Sequence, residues 1–352
     1  MKRAEKQHVA PSVDLLALAD IVERFSLKTI VVLGDFVADA FQYGDITRVS
    51  REAPVLILKH RETQIVPGGG ANAANNFAAL GAKVVSVTAV GDDEAGHRLR
   101  EFFRAQKQSV SGILTAKSWT TPTKTRFLAG WAHKVGQQVL RVDYEPERPL
   151  SNDIHRRIYA RLAATLQKAD ALAISDYGFG VADPAEIARL LSRSKRELLT
   201  TVDSRYRLNA YHRAGLHSAT PNEGEMEALH HTTIGKNLAE LERCGRATLS
   251  EMKLQSLVIT RGRDGMVAFD HKHKPVDIPI FGSDQVADVT GAGDTVIASF
   301  TAALAAGATT EEAAQVANYA GGIVVMKRGT ATVSRDELLQ AIEQSPPATR
   351  PH

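Results

Sequence analysis

Residues 286–307 read VADVTGAGDTVIASFTAALAAG, and the rest of the chain is best understood outward from this stretch. Gly291, Ala292 and Gly293 lead directly into Asp294, and the small apolar residues from Thr295 to Ala306 predict a buried helix stopped by Gly307. Small residues at 291–293 would leave the first N–H groups of that helix bare. Such groups, at the positive end of a helix dipole, make an anion site. A carboxylate on the same turn is costly unless it has a task. Asp294 suits a general base that takes a proton while the N–H groups stabilise a phosphoryl group in transfer. The competing reading is an ordinary Gly-rich turn capped by an aspartate.

A second Gly-rich stretch lies far upstream. It runs Gly68-Gly69-Gly70-Ala71-Asn72-Ala73-Ala74, then six residues to Gly81 and nine more to Gly91. The two stretches, roughly two hundred residues apart, together resemble the paired signatures of the ribokinase-like (PfkB-type) carbohydrate kinases. The resemblance covers about residues 28–342. It implies an α/β fold: a ribokinase-like three-layer sandwich with a mostly parallel central sheet and a small β-sheet lid. It also implies ATP as co-substrate, a sugar or sugar phosphate as acceptor, and Mg²⁺. Asp294 would be the base and Gly291, Ala292 and Gly293 the anion hole.

Composition is compatible with this. A chain of 352 residues can bury a substantial core, and Lys+Arg 43 against Asp+Glu 40 leaves +3, too little to argue for a nucleic-acid partner. The single cysteine, Cys244, excludes an intrachain disulfide and fits a reducing cytoplasm. No apolar run reaches membrane-spanning length, and the twelve histidines show no metal-binding spacing.

In chain order, residues 1–27 read as an extension carrying an amphipathic helix capped by Ser12. Residues 28–342 form the kinase domain, and 343–352 a flexible tail with no second module expected behind it. Thr29–Leu33 reads as a buried strand running into Asp35 and Asp39, two carboxylates past a strand end where open α/β sheets bind ligands. They are candidates for gripping sugar hydroxyls; a helix cap is the plainer reading. Gly68, Gly69 and Gly70 would let a substrate approach the backbone, and Asn72 could offer a donor and an acceptor to a hydroxyl. Short alternating runs at about 41–66 and 120–143 predict the lid, whose uncovered sheet would pair two subunits into a homodimer. Strands at 84–90, 171–175, 198–203 and 257–260 alternate with helices, which predicts a mostly parallel sheet.

The resemblance assigns further residues. Asn222 and Glu225 match an Asn-x-x-Glu motif that holds Mg²⁺ through water; a capped surface helix is the plainer alternative. Thr260, Arg261, Gly262 and Gly265, in a turn rich in N–H groups and positive charge, would meet the nucleotide phosphates. Asn318 and Gly322, with Ala320 and Gly321, would line the adenine slot. Asp288, Thr290, Gly329 and Ser334 fall where family members bind a monovalent cation, K⁺ for example.

Within the family, Arg48, Ser50, Glu52, Thr123-Lys124, Arg126, Arg141-Val142-Asp143 and Ser175-Asp176-Tyr177 resemble the heptose-phosphate kinases. This similarity puts Lys124, Arg126 and Asp176 at the substrate and implies transfer to the anomeric hydroxyl of heptose 7-phosphate, giving heptose 1,7-bisphosphate. Three positions depart from that subfamily: Ala40 and Phe179 replace basic residues, and Arg205 stands in for a lysine. A kinase of another sugar or sugar phosphate, of ribose or fructose type, therefore stays open. So does a non-catalytic sugar- or nucleotide-binding regulator, against which the intact GAGD and Asn-x-x-Glu motifs argue.

Overall fold

The computed structural model describes residues 13–130, 137–194, 196–282 and 287–345. In chain order the elements are α1 (Leu15–Glu23), β1 (Thr29–Gly34), β2 (Phe36–Val49), β3 (Leu56–Gly69), α2 (Gly70–Ala79), β4 (Lys83–Gly91), α3 (Glu94–Ala105), β5 (Ile113–Ala116), β6 (Thr123–Gly130), β7 (Gln137–Tyr144) and α4 (Asn152–Leu166). They continue with β8 (Ala171–Asp176), α5 (Pro184–Arg193), β9 (Leu199–Ser204), β10 (Ser218–Ala219), α6 (Glu223–His230), α7 (Leu238–Glu251), β11 (Ser256–Thr260), β12 (Met266–Asp270), β13 (Val276–Ile278), α8 (Ala292–Ala305), α9 (Thr310–Val325) and α10 (Arg335–Glu343).

The β-branched run of β1 is buried on both faces, and its period of two sorts the core into two halves. Ile30 and Val32 pack with α1, α2, α3, α8, α9 and α10, whereas Val31 and Leu33 pack with α4, α5, α6 and α7. The sheet between these helical layers has the order β13-β12-β11-β10-β9-β8-β1-β4-β5. It is parallel from β11 to β5, with β12 and β13 added antiparallel at one edge. The three-layer α/β architecture is as expected. Cys244 is buried in the second half-core. No helix among the described residues is long and apolar enough to cross a membrane.

A separate four-stranded sheet, ordered β3-β2-β6-β7, forms the lid. Its first two strands begin earlier and end later than the alternation at 41–66 suggested, whereas β6 and β7, from Thr123 to Tyr144, fall close to the expected 120–143. β2 starts at Phe36, one residue after β1 closes, so Asp39 lies inside a lid strand rather than in a loop past a strand end. The N-terminal helix is capped by Asp14, whose side chain accepts from the Leu16 amide; Ser12 lies outside the described residues, as do residues 1–11 and 346–352 of the two termini. Leu18, Ile21 and Val22 of α1 share a core with Leu338 and Ile342 of α10, so the extension is built into the domain.

Candidate active site

Helix α8 starts three residues before the apolar run that announced it. Gly291 caps it at φ +79°, a conformation that favours glycine, and a Cβ there would come 2.5 Å from the Asn72 amide nitrogen. The intrahelical ladder opens with Thr295 N–H to the Gly291 carbonyl; the Ala292 N–H is turned to Val289 O at 3.3 Å. The bare donors of the first turn therefore begin at Gly293 rather than at 291, because Ala292 closes the turn leading in.

Asp294 is buried on this turn, and both its oxygens accept hydrogen bonds, Oδ2 from Asn72 Nδ2 (2.9 Å) and Oδ1 from the Tyr177 hydroxyl (3.0 Å). Burial pushes its carboxyl up to about 7; the bonds from Asn72 and Tyr177 pull it down, Asp39 pushes up and Lys124 pulls down. Asn72, expected to grip a sugar hydroxyl, donates to this carboxylate. Its own oxygen accepts from Asn76 Nδ2, and Asn76 in turn accepts from the Thr295 hydroxyl. This buried relay ties α2 to α8.

Asp35 and Asp176, also expected at the substrate, are bonded within the protein. Asp35 is fully buried and takes the amides of Tyr177, Phe179 and Val181 at 2.9–3.0 Å, which shapes the loop after β8. Its pKa is raised to about 6, chiefly by burial. Asp176 accepts from Gly178 N, Ser204 Oγ, Arg207 and Tyr211. Both carboxylates are committed to donors within the protein, as burial of a carboxylate requires. Asp39 does face the site. It pairs with Arg126, lies in register with Lys124, and is pushed above the ordinary carboxylate range by burial despite both cations. Gly68 explains itself here: a Cβ would sit 2.4 Å from Asp39 Oδ2. Gly69 has φ +54° and Gly70 abuts the Asp35 carbonyl.

On the far side of α8, Asn222 and Glu225 form a reciprocal capping box at the start of α6, with both bonds at 2.9 Å. The plainer reading of this motif, a capped helix, is thus observed, and it leaves one Glu225 oxygen uncommitted. Burial raises the Glu225 carboxyl. Asp203, at the end of β9, is raised well above its ordinary range by burial and by Glu225 and Asp294 nearby. Hard carboxylate oxygens suit Mg²⁺, yet no three His, Cys, Asp or Glu side chains among the described residues are placed to hold an ion directly. This donor set fits an ion that keeps its waters. Thr260 bridges to Asn222 at the same edge, and Gly262 and Gly265 make the following turn at positive φ. The Arg261 side chain is engaged elsewhere: it bonds Glu223 and the Gly235 carbonyl and braces α6.

Asn318 likewise donates to Pro279 O, and a Cβ on Gly322 would meet Phe281 O at 2.2 Å, so both hold the 279–282 segment against α9. Three of the four residues expected at a monovalent cation converge: Asp288 accepts from the amides of Thr290 and Gly329. The Ser334 side chain caps α10.

Comparison with known proteins decides the family. The pfkB family carbohydrate kinase profile matches residues 27–337. The chain belongs to the pfkB family of carbohydrate kinases. Its members are phosphotransferases with a hydroxyl acceptor, and among curated proteins the chain is 38% identical over 336 residues to the bifunctional protein HldE of Gluconobacter oxydans, covering 94% of this chain and 67% of that one. It is 37% identical over 313 residues to the HldE of Geobacter sulfurreducens, covering 89% and 62%. The chain thus spans about two thirds of the length of these relatives. Solved pfkB-type folds superpose at lower identity. Arabidopsis thaliana ribokinase complexed with ribose and ATP aligns with TM-score 0.71 at 18% identity, covering 90% of this chain and 99% of that one. Escherichia coli phosphofructokinase-2 in complex with potassium aligns with TM-score 0.69 at 18%, covering 90% and 98%.

For a pfkB kinase the departures noted above now have a physical reading. Ala40 follows Asp39 in a strand, so it shares the opposite face with core residue Ala38. A basic residue there would point away from the Asp39 face. Arg141 makes a two-point ion pair with Asp143, and Arg126 is held by Asp39, so neither guanidinium is free. A cavity of about 620 Å³ beyond Tyr177 is lined by the cations Lys124, Arg141, Arg148 and Arg205, by the acids Asp143, Glu145 and Glu147, and by Phe179 and Tyr206. Lys124, Arg148 and Arg205 make no ion pair among the described residues. Sequence reasoning missed Tyr177 as a partner of the base, Asp203 and Arg148. Only the SDY resemblance pointed near the first, and nothing in the run Glu145-Pro146-Glu147-Arg148 marked the last.

Proposed function

We propose that the protein is an ATP-dependent kinase of a sugar phosphate, with heptose 7-phosphate as acceptor and its anomeric hydroxyl as the site of transfer. The observation that carries the reading is the cavity across Tyr177 from Asp294, with three unpaired cations. A phosphate dianion requires charge-assisted hydrogen bonds, and Arg presents them in a planar fork. Membership of the pfkB family of carbohydrate kinases supports a kinase of this kind. Comparing kcat/KM for heptose 7-phosphate and the unphosphorylated heptose tests it, and parity between the two would sink it.

In this reading Asp39 and the Gly68–Gly70 backbone hold the sugar. Asp294 takes the proton of the acceptor hydroxyl as its oxygen bonds to the γ-phosphorus of ATP, and the bond to the leaving ADP oxygen breaks. The Gly293 and Asp294 amides face the phosphoryl group, and the lid excludes water so that ATP is not simply hydrolysed. The turn at 260–265 meets the remaining phosphates, and the wall of α9 at Asn318 and Gly322 receives the adenine. Asn222 and Glu225 would hold the hydrated Mg²⁺, which neutralises phosphate charge. Asp288, Thr290 and Gly329 would hold K⁺. Glu225→Gln is expected to raise the Mg²⁺ concentration needed for half-maximal rate roughly ten- to a hundredfold, with KM for the sugar little changed. A collapse of sugar affinity at unaltered Mg²⁺ dependence would move Glu225 to the sugar site. A flat rate from zero to saturating K⁺ would remove the monovalent cation.

The lid supports a homodimer. Of the twelve large apolar side chains exposed among the described residues, six lie on it: Val49, Val55, Leu56, Val139, Leu140 and Tyr144. Such a patch on an uncovered sheet is a candidate interface. Leu140→Glu is expected to shift the particle from dimer to monomer in sedimentation. A wild-type chain that sediments as a monomer would defeat this assembly.

A further inference from the structure

We propose that Tyr177 is a positioning residue of the transfer site: its hydroxyl and the Asn72 amide clamp the two oxygens of Asp294 and fix which lone pair is left for the acceptor hydroxyl. This rests on Asp294 being the base. The clamp has two arms. Asn72 Nδ2 lies 2.9 Å from Oδ2 and the Tyr177 hydroxyl 3.0 Å from Oδ1, so a rotation of the carboxylate would break both bonds at once. Tyr177 is itself fixed, because its backbone amide and that of Phe179 are held by the buried Asp35 carboxylate and its ring lies under Lys124 Nζ at 4.8 Å. Asn72 is fixed through Asn76 and Thr295. The Asp35 carboxylate, unused by the chemistry, thereby acquires a purpose at second hand.

The clamp also bears on charge. Asp294 is faced by Asp39 from β2, Lys124 from β6, Tyr177 from the loop after β8, and Asp203 from β9. Burial and the two aspartates favour the neutral acid, which cannot take a proton. Bonds donated to the carboxylate favour the ionised base. Burial pushes the Tyr177 hydroxyl well above its usual value, so it remains a donor across the working range.

Tyr177→Phe removes one oxygen and keeps the ring under Lys124. The acid limb of the kcat–pH profile is expected to move up by about one unit, the worth of one hydrogen bond to a charged group. The ratio of kcat at about pH 9 to kcat at about pH 6 then grows roughly tenfold over wild type. A structural role alone would lower kcat by the same factor at every pH, and that result would overturn the proposal. So would a lowered KM with an unmoved limb, which would mean that Tyr177 merely occupies the place of the substrate hydroxyl. Asn72→Ser, which loosens the other oxygen, is expected to move the limb the same way and decides the matter should Tyr177→Phe not fold. Asp294→Asn in parallel separates the two readings. If that variant is active the base is wrong, and if it is inactive while both limbs stay put, only the clamp is wrong.

Discussion

Asp294→Asn is expected to lower kcat by roughly 10²–10⁴ while ATP still binds, the usual worth of a positioned general base. A variant keeping more than about a tenth of wild-type kcat would remove Asp294 from that role. The same substitution carries an opposite effect on stability. The Asp294 carboxyl is raised from 3.8 to about 7, mainly by burial, so the native state favours the neutral acid. Folding stability therefore falls as pH rises from about 4 to about 7, and the penalty is complete above that. Asparagine cannot ionise, and Tyr177 can turn its hydroxyl to accept from the new amide. At about pH 8 the variant should be more stable than wild type by ~2–4 kcal/mol, and the gap should close towards pH 4. Paired pH series of kcat and of denaturant unfolding check both halves. An inactive variant that is also less stable at about pH 8 would mean that Asp294 is held by its bonds more than it is penalised by burial.

The second large effect concerns the acceptor. Heptose 7-phosphate is expected to exceed the unphosphorylated heptose in kcat/KM by at least about tenfold, since each charge-assisted bond to the phosphate is worth ~1.5–3 kcal/mol. Arg126 and Arg141 do not provide that margin, because Asp39 and Asp143 already hold them. Arg148 and Arg205 are the free guanidiniums of the cavity. Converting both to Met should lower kcat/KM for the phosphorylated sugar by about 10²–10⁴, with a loss at least tenfold smaller on the unphosphorylated one. Ribose, fructose and fructose 6-phosphate belong in the same comparison. An unphosphorylated sugar that outperforms heptose 7-phosphate would mean that Phe179, in place of a basic residue, marks a different substrate.

The sequence by itself determined the fold class and the family, and it singled out the start of α8 as the candidate place for the chemistry. Those features rest on local physics: a β-branched run must be buried, and a Gly-rich turn before a small apolar helix presents its N–H groups. Local signals also located β1, β4, β8, β9 and β11 to within a residue or so. What a carboxylate or amide does was decided by tertiary structure. Asp35, Asp39 and Asp176 look alike beside strand ends, yet only Asp39 faces the site, because the chain turns into the lid one residue after β1 and hands Asp35 to the amides of a loop about 140 residues away. Asn72 meets Asp294 across a separation of 222 residues. Arg148 enters the cavity only because the end of β7 brings residues 145–149 over the loop after β8. Hydrogen-bond partners of this kind are set by which strand ends and helix termini the fold brings within 3 Å, and no local pattern encodes that distance.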